Sequence, residues 1–99
     1  MADVSKEAWN ARMSELAAIE SELAACCRAA VAPESAALAQ LIGRHQAWVG
    51  SMWGKPCTAH AYRGLADLYL EHPDFRARYE TLQPGFAEYL AAAMKAYAT

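Results

Sequence analysis

One cysteine of this sequence combines a nucleophilic side chain with a predicted helix start. Cys57 lies between Pro56 and Thr58, and threonine is a residue type that often caps helix N-termini. The partial positive charge of a helix N-terminus, with Lys55 and His60 nearby, is expected to stabilise a thiolate that attacks electrophilic ligands. The alternative is a small buried side chain that fills a turn, as free cysteines often do.

Aromatic side chains bracket this cysteine in the sequence. Trp48 and Trp53 precede it, and Tyr62 and Tyr69 follow it. Tryptophan and tyrosine beside a glycine-broken turn suit an apolar pocket whose rings carry polar tips, although stripes of this kind also form ordinary cores. Both interpretations stay open at this point.

Two polar residues complete the candidate site. His45 lies on an apolar helical stripe, either as a core histidine with one hydrogen bond or as a ligand contact. Gly64 is mid-helix, where it is unfavourable relative to alanine, and indicates close packing or the approach of a ligand. Asp67, one turn later, is either half-buried and hydrogen-bonded or solvated. We therefore predict a cleft lined by the bracketing aromatic residues and His45, with Asp67 at its wall and Cys57 as a possible point of covalent attachment.

Helices are the elements that must position these residues. Prolines and glycines divide the chain into five pieces, and alanine is abundant while β-branched residues are few. Each piece has apolar residues at three- and four-residue spacing, which predicts an all-α bundle of about five helices. The predicted helices run from Ser5 to near Ala30, from about Ser35 to Gly54, from Thr58 to near His72, from Pro73 to Leu82, and from Pro84 onward. In the first, Trp9 begins the apolar stripe.

Length and composition narrow the function further. The 99 residues suit a single domain spanning 1–99, and the formal net charge of −2 does not favour a nucleic-acid or anionic-membrane partner. No apolar run approaches the roughly 20 residues of a membrane span, and no secretory signal is visible, so we expect a cytoplasmic protein. Three cysteines make a disulfide framework unexpected, and no metal or cofactor motif occurs.

Several segments together are similar to a known family. They are His45-Gln46-Ala47-Trp48, then Trp53 and Cys57, then Arg63-Gly64-Leu65-Ala66-Asp67-Leu68-Tyr69, then Pro73-Asp74-Phe75 with Arg78-Tyr79, and Pro84-Gly85-Phe86-Ala87-Glu88-Tyr89-Leu90. With Ser5-Lys6-Glu7-Ala8-Trp9, they resemble the TipAS antibiotic-recognition domain over nearly the whole chain.

The resemblance implies a globin-like arrangement of helices without haem. It also implies the effector-binding part of a MerR-type transcription activator that binds thiopeptide and related antibiotics, with a cysteine at the position of Cys57 that attacks a dehydroamino acid of the ligand. The expected partner is a hydrophobic or peptide-like small molecule. DNA would be contacted only through a domain absent from this chain, and the full-length protein would be a homodimer.

Two other functions fit the same residues. One is a stand-alone binding protein that sequesters a drug, and the other is a helical module that binds another protein and no small ligand. Nothing in the sequence specifies catalysis, because no pair of carboxylates and no Cys–His–Asn set occurs at a recognisable spacing. We therefore expect that the chain is not an enzyme and needs no cofactor.

Overall fold

The computed structural model describes residues 2–99, with side chains from residue 6 onward. Its elements are α1 (Ala2–Arg28), a short 3₁₀ turn (Ala36–Leu38), α2 (Ala39–Trp53), α3 (Ala59–Glu71), α4 (Pro73–Leu82) and α5 (Phe86–Tyr97). No strand occurs in the described part of the chain. The prediction of an all-α fold with about five helices is confirmed.

Local capping sets two helix boundaries where the sequence predicts them. The Thr58 side chain accepts a hydrogen bond from the backbone N–H of Ala61, at 3.2 Å, and so caps α3. At the other end of α3, His72 is extended, as expected of a residue before proline, and Pro73 opens α4.

Three other boundaries differ from the prediction. The Ser35 side chain caps the 3₁₀ turn, so α2 itself begins only at Ala39. Gly85 has a left-handed backbone, with φ of 83°, and α5 therefore starts after it and not at Pro84. The first helix begins at Ala2, before the predicted Ser5.

The core lies where α5 packs across α3, the most extensive helix contact in the fold. Both helices supply fully buried side chains, and α1 and α2 close the remaining sides. The fully buried residues with the largest side chains are Ile19, Leu23, Leu38, Ile42, His45, Tyr62, Tyr79, Phe86, Leu90 and Met94. An aromatic and aliphatic core of this kind fixes the helices that carry the candidate site.

The first half of α1 extends past this core. A helix of 27 residues is about 40 Å long, whereas the fold measures 27 Å across its shorter axes. Residues 6–12 are exposed, and Trp9, predicted to begin the apolar stripe, is 52% exposed. The apolar spacing therefore begins before the core does, because the residues of α1 become buried only from Leu16 onward.

Membrane insertion has no support from the helices. Within residues 2–99, none combines the length and the apolar composition needed to cross a bilayer.

Candidate functional site

An open cleft of about 580 Å³ lies along the outer face of α2. One wall is α2 itself, and the other is the segment 55–57 that joins α2 to α3, with Thr99 at one end. The lining residues are Gly43, Gln46, Ala47, Gly50, Ser51, Gly54, Lys55, Pro56, Cys57 and Thr99. We call this the Cys57 cleft. Its volume is within the range of roughly 300–1,000 Å³ that small-molecule sites occupy.

Two glycines of α2 shape the cleft. A Cβ at Gly50 would lie 3.1 Å from both the Cys57 nitrogen and the Lys55 oxygen, so any other residue would push this segment a few tenths of an ångström away from the helix. Gly54 ends α2 in the left-handed conformation, with φ of 73°, and turns the chain toward Cys57. The sequence pattern does not predict that Gly50 is a packing contact.

Gln46 holds both ends of the cleft wall in place. Its amide nitrogen donates to the backbone oxygens of Cys57 and Thr99, each at 2.7 Å, and its side-chain oxygen accepts from the Thr99 backbone N–H at 3.2 Å. The side chain is buried. Gln46 is not among the predicted site residues, although a glutamine next to the stripe residue His45 is a signal of a buried polar contact.

Cys57 lines the cleft, but its environment does not stabilise a thiolate. It is 8% exposed, and burial raises the pKa of its thiol. Its sulfur points toward the Thr58 carbonyl oxygen, 3.9 Å away, which favours the S–H form. The expected stabilisation of a thiolate is therefore opposed by the structure, because Cys57 precedes the N-cap and its side chain turns into the protein.

The other two cysteines provide a comparison. Cys26 and Cys27 lie at the end of α1 and are half-buried, so they are more accessible than Cys57. Burial raises the pKa of Cys27 as well. The three thiols are free. The local environment of Cys57 in the free chain thus favours the thiol over the thiolate.

Three predicted pocket residues lie in the core and not in the cleft. His45 Nδ1 is 2.6 Å from the Tyr62 hydroxyl, and both side chains are fully buried. Tyr69 packs beside His45, with ring centroids 6.4 Å apart. Burial lowers the pKa of His45 to about 4, which keeps the imidazole neutral at pH 7. Their geometry is that of a hydrogen-bonded core cluster.

The remaining predicted residues point in other directions. Trp48 donates from its indole nitrogen to the Arg12 backbone oxygen, at 2.8 Å, and thus binds α2 to α1. Trp53 is exposed at the end of α2, next to Gly54. Asp67 is exposed and forms a 2.6 Å ion pair with Lys95. Among the seven predicted residues, Cys57 alone is in the Cys57 cleft.

Metal chemistry has no visible basis in the described residues. Among them, no group of three histidine, cysteine, aspartate or glutamate side chains is placed to hold an ion. What the fold offers instead is a helical domain with an open, ligand-sized cleft built from small residues around one buried thiol.

The chain belongs to the TipAS antibiotic-recognition domain family, whose family model matches residues 1–97. It is 40% identical over 93 residues to the HTH-type transcriptional regulator SkgA of Caulobacter vibrioides strain NA1000 / CB15N, and equally to that of strain ATCC 19089 / CIP 103742 / CB 15. The match covers 94% of this chain and 36% of each relative, so the chain spans about a third of their length. No solved structure matches the chain.

Proposed function

We propose that this chain is the ligand-sensing domain of a MerR-type transcriptional regulator and binds a hydrophobic or peptide-like small molecule in the Cys57 cleft. The observation that carries the proposal is the open cleft of about 580 Å³ in a chain of the TipAS antibiotic-recognition family. The relatives named as transcriptional regulators favour a sensor over a stand-alone protein that sequesters a drug. Both findings support a non-enzymatic role.

The proposed ligand lies along the small residues of α2. Gly43 and Ala47 leave room for an apolar or extended molecule to contact the helix closely, and the side chain of Lys55 is exposed at the opposite wall. Amphipathic and peptide-like molecules combine apolar surface with amide groups, which suits such a cleft.

Covalent capture at Cys57 is a further part of the proposal. In this step the sulfur bonds to the β-carbon of a dehydroalanine, the π electrons move to the α-carbon, and that carbon takes the proton the thiol has lost. The thiol is not activated in the free chain. The rate of the reaction therefore depends on the proximity of the Cys57 sulfur to the dehydroalanine in the bound complex. One adduct forms per chain, so the reaction is stoichiometric.

Transmission of the signal would follow the contacts of the cleft. Ser51 lines the cleft, and its backbone oxygen accepts a 3.4 Å hydrogen bond from Arg12 of α1. A ligand at Ser51 therefore acts next to the first half of α1, the part of that helix that extends beyond the core. We propose that binding orders residues 50–60 and stiffens this contact, and that a DNA-binding domain outside this chain, in a homodimer, reads the change.

Filling the cleft is expected to abolish high-affinity binding. In Ala47→Leu, the larger side chain occupies the space of the ligand, whereas residue 47 is exposed and its replacement leaves the core intact. Calorimetric titration with a thiopeptide antibiotic should give an affinity roughly tenfold or more below that of the unmodified chain, a loss of about 1.4 kcal/mol or more. Ala77→Leu, at an exposed position of α4, is the matched control and should bind normally.

Mass spectrometry of the same complexes tests the covalent step. The unmodified chain should gain one ligand mass on Cys57, while Cys57→Ser should bind reversibly without an adduct. Equal affinity of Ala47→Leu and the unmodified chain would place the ligand elsewhere, and an adduct on Cys26 or Cys27 would refute capture at Cys57.

A further inference from the structure

A second cleft, of about 310 Å³, lies between α1 and α4. It shares no residue with the Cys57 cleft. The two helices make few close backbone contacts, and two side-chain bridges span the gap between them. Arg78 of α4 donates to Glu20 of α1 at 2.7 Å, and Arg28 of α1 donates to Gln83, just beyond α4, at 3.0 Å. We call this space the α1–α4 cleft.

Glu20 lines this cleft with an incompletely paired carboxylate. Its side chain is only 4% exposed, and its Oε1 accepts the hydrogen bond from Arg78. Its Oε2 is buried and has no hydrogen-bond partner. The Tyr79 hydroxyl lies near enough to Glu20 to favour its charged carboxylate. It does not form a hydrogen bond of acceptable geometry to Oε2. A buried acceptor left without a donor is destabilising, so a ligand in the cleft gains free energy when the Glu20 carboxylate rotates and brings Oε2 within reach of the ligand's donor.

The remaining walls indicate what surrounds that donor. Ala17 and Ala24 give α1 a small, apolar surface here, and Leu82 stands at the edge of the cleft, 43% exposed. An apolar body of modest size would bury Leu82 and lie over the alanines. The volume is at the lower end for small-molecule sites, which suits a fragment-sized group.

The charges of the lining residues determine which kind of ligand donor is favoured at Glu20. Arg28 and Arg78 both line the cleft, against the single carboxylate of Glu20. The local balance is positive and disfavours an organic cation, although an ammonium group would otherwise be the natural partner of a carboxylate. A neutral N–H avoids this repulsion, and a carbonyl beside it could accept from an arginine.

We propose that the α1–α4 cleft is a second ligand site, which takes a small neutral molecule bearing an amide group on an apolar body. The amide N–H donates to Glu20 Oε2, its carbonyl oxygen accepts from Arg28 or Arg78, and the apolar body covers Ala24 and Leu82. The site is independent of the Cys57 cleft, and its failure would leave the proposed sensor function untouched.

Isobutyramide is a suitable probe, because it carries one neutral amide on a branched apolar group. Titration into the isotope-labelled chain should produce saturable shifts of backbone amide NMR signals in residues 17–28 and 78–83. Methyl isobutyrate has the same carbonyl and apolar group but no N–H, and isobutyrate and isobutylammonium present an anion and a cation. Each of these three should bind roughly tenfold more weakly than the amide.

Variants of two glutamates on α1 provide the second arm. Glu20→Met removes the acceptor and is expected to fold, because methionine has a similar length and the remaining partner Arg78 is 47% exposed, so water can solvate its charge. It should lose the isobutyramide shifts, whereas Glu22→Met, on an exposed glutamate that pairs with Arg44, should keep them. Equal binding of ester and amide, preferred binding of either ion, or no saturable shift would overturn the proposal on the unmodified chain alone.

Discussion

Acidification is expected to lower the free energy of unfolding by about 3 kcal/mol through His45 alone. Burial lowers the pKa of this side chain from 6.5 to about 4 in the folded chain. Above pH 6.5 both states carry a neutral imidazole, and the stability is fully present. As the pH falls from 6.5 to about 4, the unfolded chain binds a proton that the folded chain does not, so stability is lost across that window.

Urea unfolding of the unmodified chain and of His45→Gln, at several pH values, isolates this contribution. Glutamine does not titrate and can still accept a hydrogen bond from Tyr62. Glu20, whose pKa is raised chiefly by burial, and Glu80, whose pKa is lowered by bonds from the Gly85 and Ala87 backbone, titrate in both proteins and cancel in the difference. Parallel stability curves for the two proteins between pH 6.5 and 4 would show that His45 is accessible to protons in the folded state.

Loss of the Gln46 side chain is expected to destabilise the domain by about 2 kcal/mol and to loosen the Cys57 cleft. Gln46→Ala removes the donor to the Cys57 and Thr99 backbone oxygens and the acceptor for the Thr99 N–H. The Cys57 bond is buried, so its carbonyl is left without that partner in a place that water reaches poorly. Hydrogen exchange should accelerate in residues 55–58 more than in α3 or α5.

Gln40→Ala is the matched control for this prediction. Gln40 lies on the same helix but is exposed, so its replacement should change stability by less than about 0.5 kcal/mol. If the two alanine variants are equally stable and exchange at equal rates, Gln46 does not hold the cleft wall.

Sequence reasoning predicted best those features of the fold that depend on local chemistry. Thr58 and Pro73 are strong boundary signals because each changes the hydrogen-bonding options of the backbone within one turn. The starts of α2 and α5 were less predictable, because a 3₁₀ turn after Ser35 and a left-handed Gly85 are alternatives of similar local free energy. In such cases the packing of the whole chain selects the conformation.

The candidate site was harder to predict, since it depends on which face of α2 points outward. His45 and Trp48 share one side of the helix, and the structure uses that side to pack against α3 and α1. The cleft forms on another face, where Gly43 and Ala47 leave space. A stripe of aromatic residues predicts that something large packs there, but it does not distinguish a ligand from a neighbouring helix.

Cys57 shows how burial can outweigh a local electrostatic argument. The sequence places it correctly before a helix start, and the helix is there. Desolvation of the charged form nevertheless dominates the pKa of the thiol, because the side chain is turned into the protein. The direction of a side chain one residue before an N-cap cannot be predicted from the sequence pattern alone.

The segments that carried the family resemblance are largely structural. Ala66 and Tyr69 in the central segment, and Phe86 and Leu90 in the last, are buried core residues. Such residues identify the fold that a chain adopts, whereas the residues lining the Cys57 cleft are mostly small or backbone contacts with little sequence signature. This is why the sequence identifies the family and leaves the ligand open.

The most direct measurement of the central claim uses the five glycines, whose amide signals are easily recognised in a two-dimensional NMR spectrum. Gly43, Gly50 and Gly54 line the Cys57 cleft, while Gly64 on α3 and Gly85 before α5 lie outside it. On addition of a thiopeptide antibiotic, the first three signals should shift or broaden and the other two should remain in place. Shifts confined to Gly64 and Gly85, or an unchanged spectrum at a saturating concentration of antibiotic, would contradict ligand binding in this cleft.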